Sequence, residues 1–230
     1  MRSFYFKEIS NFKIGDTFQY SGDEFHHLKN VVRLKINEFV LALNGQGLIV
    51  KTECVDISKK YISFNVVEIK KEKCVKRECI LAQIKRESLE LALRSAVELG
   101  VTKFHIVKTE YSQNFKFNAD RLKKICLSAM LQSNNPFCCE IIYHSDIDAL
   151  IKEVGDNIIV LDKSLDSKLS PEKKDEIFLT KPLVFIGPEG GFSESEIQKF
   201  QTMKLYSHSF NSPILRAETA LIAAIAFRYL

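Results

Sequence analysis

The 230-residue sequence lacks the segments that mark membrane proteins, secreted proteins and zinc ribbons. No apolar run approaches the roughly 18 residues that a helix needs to cross a bilayer, and the longest is Ala220–Phe227. The start of the chain has neither the apolar core nor the small-residue cleavage site of a secretion signal. The six cysteines include no Cys-x-x-Cys pair and no histidine at zinc-ligand spacing. We therefore expect a cytoplasmic protein with free buried thiols, no metal and no membrane span.

Glycine and proline are scarce too, with nine and five residues respectively. Hydrophobic residues make up 46% of the chain and charged residues 27%, which is the balance of an ordinary globular protein. This composition excludes a collagen-like or disordered chain. At roughly 100–200 residues per domain, the length predicts one large domain or two unequal ones.

The pattern of apolar residues changes near residue 72. Before it, short runs read as strands, and Asn44-Gly45 between two of them is a strong hairpin signal. Asp23–Arg33 has the spacing of a brief helix. Several short strands with tight turns predict a small barrel. After residue 72, apolar strands alternate with helices, which predicts a mostly parallel sheet covered by helices.

Positive charge is concentrated around this change. Nine basic and three acidic residues lie between Lys59 and Arg86, although the net charge of the chain is only +4. Such a stretch suits a polyanion such as RNA. A solvated surface or an exposed linker has the same composition, and charge alone favours that second interpretation.

Three of the nine glycines fall in one segment, residues 187–191, with the sequence Gly-Pro-Glu-Gly-Gly. The segment follows an apolar strand predicted for Leu183–Ile186 and precedes a capping box, Ser193–Glu196, that opens a helix. Ligands of parallel sheets bind beyond the carboxyl ends of the strands, where glycine allows close backbone approach. The segment has neither the phosphate-loop nor the dinucleotide-binding signature. We favour a small-molecule site over a plain strand-to-helix turn.

A second segment, residues 211–219, links a predicted strand near His208–Phe210 to the final helix, Glu218–Tyr229. That helix is apolar nearly all round, which predicts burial in the core or against a partner subunit. Arg216 stands where the helix begins. Its guanidinium can pair with Glu218 or face a phosphate, and the spacing does not separate the two roles.

Together the two segments resemble those of a known family. Ile186–Ser193 and Ile214–Ala220 are similar to the cofactor loops of the knotted SPOUT methyltransferases. Within that superfamily the chain resembles the bacterial ribosomal RNA small subunit methyltransferase E family, which methylates N3 of a uridine in 16S rRNA. The resemblance extends along the chain and includes His27–Arg33 and Glu98–Val101.

The resemblance implies an enzyme of rRNA processing and ribosome biogenesis that uses S-adenosylmethionine and no metal. It implies a small PUA-like β-barrel that binds RNA, residues 1–72. A SPOUT-type α/β domain would follow over residues 73–230, a parallel sheet with helices on both faces and a trefoil knot. The partners would be 16S rRNA of the small ribosomal subunit and a second copy of the chain, because the family is homodimeric.

The resemblance also assigns residues to the reaction. Arg216 would stabilise the uracil anion that develops as N3 loses its proton, and Glu189 or Glu218 would orient Arg216 or accept that proton. S-adenosylmethionine would be held by ten residues of three loops: Leu161, Ile186, Gly187, Gly190, Gly191, Phe210, Asn211, Pro213, Ile214 and Leu215. The RNA backbone would be bound by His27, Arg33, Lys85 and Arg86. For His27, a packed or capping role is equally open.

The chain departs from the family pattern at four positions that usually carry charge: Ser88, Tyr111, Leu131 and Asn135. Two alternatives therefore stand beside N3 methylation. One is an RNA methyltransferase with another target atom, such as a ribose 2′-hydroxyl. The other is an RNA-binding or ribosome-assembly protein that keeps the fold without catalysis. A nucleotide hydrolase is excluded because the phosphate-loop lysine and the Mg²⁺ ligands are missing.

Overall fold

The computed structural model describes residues 2–22, 24–116, 118–162, 165, 176, 178–179, 183–210 and 213–229. The chain divides into two compact units, which we call the N-terminal unit (residues 1–75 and 126–138) and the C-terminal unit (residues 76–125 and 139–230). Residues 126–138 join the N-terminal unit because they bond to its glycine turn: the Gly47 N–H donates to the Pro136 carbonyl (2.9 Å) and the Cys138 N–H to the Gly45 carbonyl (2.9 Å). The boundary expected between residues 72 and 73 stays a prediction.

The N-terminal unit is built on a five-stranded sheet with the order β1-β3-β4-β5-β2. The β1–β3 pair is parallel and the others are antiparallel. The outer strands approach each other, since the Tyr20 hydroxyl donates to the Tyr5 carbonyl (3.1 Å) and the Phe4 and Tyr20 rings lie 4.6 Å apart. The predicted small barrel is confirmed. Its strands are β1 (Ser3–Tyr5), β2 (Thr17–Tyr20), β3 (Phe39–Leu43), β4 (Leu48–Ile57) and β5 (Ile62–Lys71).

The predicted Asn-Gly hairpin joins β3 to β4. The Asn44 side-chain oxygen accepts hydrogen bonds from the backbone N–H groups of Gln46 (2.8 Å) and Leu48 (3.0 Å), and Gly45 has a φ of +73°. Asparagine followed by glycine favours this turn because its side chain bonds to the backbone two residues on and glycine accepts the left-handed conformation.

The brief helix predicted for residues 23–33 is present. Residues 25–26 are α-helical and continue into a short π-helical turn, His27–Val31. Phe25 and Leu28 are buried, as the spacing indicated, and Arg33 follows the turn in a left-handed conformation with a φ of +53°. A separate 3₁₀ turn, Lys7–Asn11, precedes β2.

The C-terminal unit contains a six-stranded, fully parallel sheet with the order β11-β9-β10-β6-β7-β8. Its strands are β6 (Glu78–Ala82), β7 (Lys103–Val107), β8 (Glu140–His144), β9 (Ile158–Leu161), β10 (Leu183–Ile186) and β11 (Tyr206–His208). The helices are α1 (Arg86–Glu98), α2 (Ala119–Ser133), α3 (Ile147–Val154), α4 (Glu194–Thr202) and α5 (Ala217–Tyr229). Helix α2 begins in this unit and ends in the N-terminal one.

Helices cover both faces of the parallel sheet, as predicted. Ile80 of β6 and Phe185 of β10 pack in one cluster with Leu150 of α3 and Phe200 of α4. Helix α5 contacts β6 and β10 and packs against α1. Since successive side chains of a strand point to opposite faces, the strands are buried on both sides and read as continuous apolar runs.

The last helix is only partly buried within the chain. Leu221, Ala224 and Ile225 of α5 are buried, whereas Phe227 is 56% exposed. The sequence expectation that α5 is buried therefore holds for one of its faces.

Two histidines, His105 of β7 and His144 of β8, form a buried pair that we call the histidine pair. The His105 Nδ1 and His144 Nε2 atoms lie 3.0 Å apart, so one ring donates to the other. Glu78 lies 3.5 Å from His105 and Glu153 lies 3.8 Å from His144. Burial lowers the pKa of both histidines, and for His105 the neighbouring His144 lowers it further.

All six cysteines are free thiols. Cys54, Cys79 and Cys126 are buried, as expected, while Cys74 and Cys138 are exposed. Burial raises the pKa of Cys54 to about 11, so this thiol stays protonated at neutral pH. Among the residues that the structure describes, no helix has both the length and the apolar character to cross a membrane.

Candidate functional site

A cavity of about 480 Å³ opens at the carboxyl ends of β9, β10 and β11, within the C-terminal unit. The order of the strands changes direction near this place. Strands β6, β7 and β8 follow one another toward one edge of the sheet, whereas β9 and β11 lie on the other side of β10. This is where ligands bind in open parallel sheets. The described residues that line the cavity are Leu161, Asp162, Ile186, Gly187, Pro188, Glu189, Gly191, His208, Ser209, Phe210, Pro213, Ile214, Leu215, Arg216, Ala217 and Ala220.

The glycine segment forms one wall of the cavity as a tight turn. The Gly191 N–H donates to the Pro188 carbonyl (2.9 Å), and Gly191 has a φ of +74°, which strains any other residue. Gly187 is needed for space: an added Cβ atom would lie 2.9 Å from the ring of Phe192. That ring packs edge-on against Phe185 and Phe200, so the turn rests on the apolar core.

Two residues of this turn are exposed and form what we call the rim of the cavity, Glu189 and Gly190. Glu189 Oε1 accepts a hydrogen bond from the backbone N–H of Lys85 (3.1 Å), the residue before α1. Gly190 touches Tyr111: an added Cβ atom would lie 3.3 Å from the Cβ of Tyr111 and 3.6 Å from its ring. The rim therefore joins the glycine turn to the start of α1 and to the loop after β7.

The capping box predicted at Ser193–Glu196 is present and also holds that loop. The Ser193 hydroxyl accepts from the Glu196 N–H (3.2 Å), and Glu196 Oε2 accepts from the Ser193 N–H (2.9 Å). The other oxygen of Glu196 accepts from the backbone N–H of Glu110 (2.9 Å). Because Glu196 is buried, these bonds are shielded from water and fix the loop beside the cavity.

The opposite wall comes from the end of β11 and the segment before α5. His208 and Phe210 line it, and Phe178 stacks on His208 with ring centroids 4.6 Å apart. At the open side, Ile214 is 90% exposed and Arg216 is exposed at the first turn of α5. The cavity thus combines aromatic and aliphatic walls with a cation at its mouth.

Charged groups at the cavity are few. Asp162 follows β9, and a Cβ atom added at Gly191 would lie 3.9 Å from its Oδ2 atom. Asp162, Glu189 and Arg216 are the acidic and basic residues among the described lining. Within the described part of the chain, no group of three or more histidine, cysteine, aspartate or glutamate residues could hold a metal ion.

Most of the residues predicted to hold a cofactor line this cavity. Gly190 does not line it and lies at the rim, and Asn211 lies outside the described residues. The other eight do: Leu161, Ile186, Gly187, Gly191, Phe210, Pro213, Ile214 and Leu215. Asp162 belongs to the first of the three predicted loops, whereas sequence reasoning missed His208, which stands at the carboxyl end of β11.

The three residues predicted to act in catalysis are placed differently. Arg216 and Glu189 both line the cavity. Glu218 does not line it and is only 6% exposed, in the first turn of α5. Arg216 and Glu189 therefore border the same space, while Glu218 belongs to the packed side of the helix.

The residues predicted to bind RNA lie in both units. His27 and Arg33 are exposed on and after the π-helical turn of the N-terminal unit. Lys85 and Arg86 are exposed at the start of α1 in the C-terminal unit, and the Arg86 guanidinium lies over the ring of Phe115 at 5.4 Å. Arg77 of the basic stretch is structural instead, since it donates to the Leu99 carbonyl (3.0 Å).

Comparison with known families matches both parts of the chain. The model of the RNA methyltransferase domain family matches residues 71–228, and that of the RNA methyltransferase PUA domain matches residues 20–67. Ribosomal RNA small subunit methyltransferase E 2 of Borreliella burgdorferi is 30% identical over 211 residues, covering 88% of this chain and 86% of the relative. The chain belongs to the ribosomal RNA small subunit methyltransferase E family. A Rickettsia conorii member is also 30% identical, over 210 residues, which are 90% of this chain and 86% of that relative.

Solved structures of methyltransferases share the fold. The crystal structure of the enzyme from Neisseria gonorrhoeae bound to S-adenosyl methionine superposes with a TM-score of 0.81 at 22% identity, covering 98% of this chain and 95% of that one. A putative methyltransferase from Legionella pneumophila in complex with the same cofactor gives 0.79 at 21% identity, with 97% and 95% coverage. The predicted two-part architecture is confirmed over nearly the whole chain.

Proposed function

We propose that this protein transfers a methyl group from S-adenosylmethionine to N3 of a uridine in 16S rRNA of the small ribosomal subunit. The observation that carries the proposal is that the two segments typical of the methyltransferase E family line one cavity in a chain that belongs to that family. The reaction would take place in the cytoplasm, where small subunits are assembled.

The cavity fits S-adenosylmethionine in size and in chemistry. Its volume of about 480 Å³ lies in the range of roughly 300–1,000 Å³ that is usual for sites of small ligands. The aromatic wall of His208 and Phe210 suits the adenine ring, and Asp162 suits the ammonium group of the methionine part. Gly187 and Gly191 leave the backbone of the turn open to the ligand. When bound, S-adenosylmethionine supplies a methyl carbon already activated by its sulfonium, so the protein supplies no covalent chemistry.

Arg216 is the proposed catalytic residue. Uracil N3 carries a proton, and its loss leaves negative charge on the two neighbouring carbonyl oxygens. A guanidinium at the mouth of the cavity stabilises that charge as it develops, and the contribution of one such donor is usually 10²–10³ in kcat. We expect Arg216→Ala to lower kcat by about this factor, whereas Arg216→Lys, which keeps the charge, retains part of the activity.

Glu189 and Glu218 are the proposed carboxylates, with separate roles. Glu189 lines the cavity and can accept the N3 proton, directly or through water. It is also a positioning residue, because it accepts the hydrogen bond from Lys85. Glu218 is buried two residues after Arg216 and would orient the first turn of α5, including Arg216.

The four remaining predicted residues would bind RNA, and two exposed apolar residues would contact a second copy of the chain. His27, Arg33, Lys85 and Arg86 are exposed and would contact phosphates. We infer a homodimer in which the exposed Ile214, at the cavity mouth, and Phe227, on α5, are covered by the partner subunit. The trefoil knot of the family would thread the segments that form the cavity.

Methyl transfer to small subunits tests the function. Small subunits from a strain without the gene are incubated with the purified protein and S-adenosylmethionine, and their rRNA is digested to nucleosides and analysed by mass spectrometry. N3-methyluridine is expected. Appearance of a 2′-O-methylated nucleoside would contradict the target atom, and S-adenosylmethionine binding without any methylated nucleoside would favour an RNA-binding role. Light scattering of the wild type and of Phe227→Glu tests the dimer, which the variant should weaken.

A further inference from the structure

Tyr111 is an exposed aromatic residue directly beside the cavity. Half of its surface, 50%, is open to solvent, so its ring is accessible to a ligand. A Cβ atom added at Gly190 would lie 3.3 Å from the Cβ of Tyr111 and 3.6 Å from its ring, so a side chain at position 190 would crowd Tyr111. Gly190 therefore leaves room for Tyr111 at the rim.

The loop that carries Tyr111 is held at both ends by buried groups. At the start of the loop, Glu196 accepts the N–H of Glu110. Across Tyr111, the Ser112 hydroxyl accepts the N–H of Thr109 (2.9 Å). After it, the amide of the buried Gln83 donates to the carbonyl of Gln113 (2.6 Å) and to that of Phe115. These bonds account for the order of the backbone but none of them needs an aromatic side chain at position 111.

Basic residues lie on the other side of the same rim. Lys85 is tied to Glu189 through its backbone, which leaves its exposed side chain to solvent, and Arg86 stacks on Phe115 four residues after Tyr111. An exposed aromatic ring and cations around one rim are the groups with which proteins bind unpaired nucleotides, the ring for the base and the cations for phosphates.

We propose that Tyr111 is the platform on which the target pyrimidine stacks when it is turned out of the RNA. The inference rests on the proposed function, which requires that the base leave its stack to reach the cavity. Gly190 allows the tyrosine ring to lie against the rim, so a base on its outer face would stand next to Glu189 and the cavity mouth. Lys85 and Arg86 would bind the phosphates that flank this base.

Kinetics of three variants separate stacking from simple packing. Stacking of one base is worth about 1–3 kcal/mol, so Tyr111→Ala should lower kcat/KM for small subunits roughly 5- to 140-fold. Tyr111→Leu keeps the Cβ contact with Gly190 and the apolar volume but has no π face, and should lose as much. Tyr111→Phe should stay near the wild type. S-adenosylmethionine affinity, measured by calorimetry, should be unchanged in all three.

A fluorescence experiment reports on stacking directly. The chain has no tryptophan, so Tyr111→Trp introduces a single tryptophan at the rim, which is excited selectively at wavelengths where tyrosine does not absorb. Its emission should be quenched by an oligouridylate and not by an abasic oligoribonucleotide of equal length, which has the same phosphates. Tyr143→Trp is the matched control, since Tyr143 is 48% exposed on β8, three strands from β10, and should respond to neither.

The outcomes distinguish this proposal from the proposed function. If the wild type methylates small subunits and Tyr111→Leu does so with the same kcat/KM, the stacking role is wrong and the function stands. Equal quenching of Tyr111→Trp by both oligonucleotides also refutes stacking. If the wild type neither binds S-adenosylmethionine nor transfers a methyl group, it is the proposed function that fails.

Discussion

Replacing Gly187 with alanine places a methyl group where the wall of the cavity meets the core. The added Cβ atom would lie 2.9, 3.1 and 3.3 Å from three ring carbons of Phe192, closer than carbon atoms normally approach. The ring cannot turn away freely, because Phe185 and Phe200 lie against it with centroids 5.0 and 4.9 Å away. Gly187 is not in a left-handed conformation, so the whole effect is steric.

Overpacking of this kind costs about 1–3 kcal/mol. For a chain of this size, each kcal/mol lowers the melting temperature by about 2–4 °C, so Gly187→Ala should melt about 2–12 °C below the wild type in scanning calorimetry. Affinity for S-adenosylmethionine should also fall, because Gly187 lines the cavity.

A double-mutant cycle checks the cause. Phe192→Leu removes the ring that the new methyl group meets, so Gly187→Ala should destabilise the Phe192→Leu background by clearly less than it does the wild type, with a coupling of about 1 kcal/mol. An unchanged melting temperature for Gly187→Ala, or additive effects of the two substitutions, would refute the packing argument.

Three further predictions concern charge. If Glu189 acts mainly by holding Lys85, Glu189→Gln should keep most of kcat, because the amide oxygen still accepts the hydrogen bond, whereas Glu189→Ala should lose both the bond and the activity. An equal loss of kcat in the two variants would instead identify the carboxylate as the proton acceptor. Because burial lowers the pKa of both histidines, the folded state disfavours their protonation, so the free energy of unfolding in denaturant titrations should be lower at pH 5.5 than at pH 7.5. A stability independent of pH would contradict this. Arg33→Ala or Arg86→Ala removes a phosphate contact, so the magnitude of the slope of log affinity for RNA against log salt concentration should fall by about 0.7–0.9. Arg121→Ala should leave that slope unchanged, because the Arg121 guanidinium pairs with Glu90.

Much of the C-terminal unit could be predicted because its strands and helices have clear local signals. The strand Leu183–Ile186 and the capping box Ser193–Glu196 are where the sequence predicted them. The strand is a continuous apolar run, and the serine and the glutamate of the capping box each accept from the other's backbone N–H. Burial on both faces of a parallel sheet makes such runs unmistakable.

Strand β11 and the strand order were beyond the reach of local patterns. The sequence placed a strand near His208–Phe210, but the strand is Tyr206–His208, three mixed residues paired with β9 alone. The order β11-β9-β10-β6-β7-β8 depends on which strands pair across the chain, and periodicity does not encode it. The knot stays a prediction of the resemblance.

The cavity could be predicted and its surroundings could not. Gly187–Gly191 and Pro213–Arg216 are marked by glycine, proline and an isolated arginine, so the sequence alone indicated a site. Tyr111 reaches the rim on a loop held by distant groups, among them Glu196, which bonds to Glu110 from 86 positions away in the chain. Contacts over that separation follow from tertiary packing and leave no local signal.

The position of bound S-adenosylmethionine tests the account most directly. A crystal structure of the protein with S-adenosylmethionine should show the ligand between the Gly187–Gly191 turn and the Pro213–Arg216 segment, with its methyl group directed to the side where Arg216 and Tyr111 are exposed. Density for the ligand elsewhere, or a methyl group directed into the core, would contradict it.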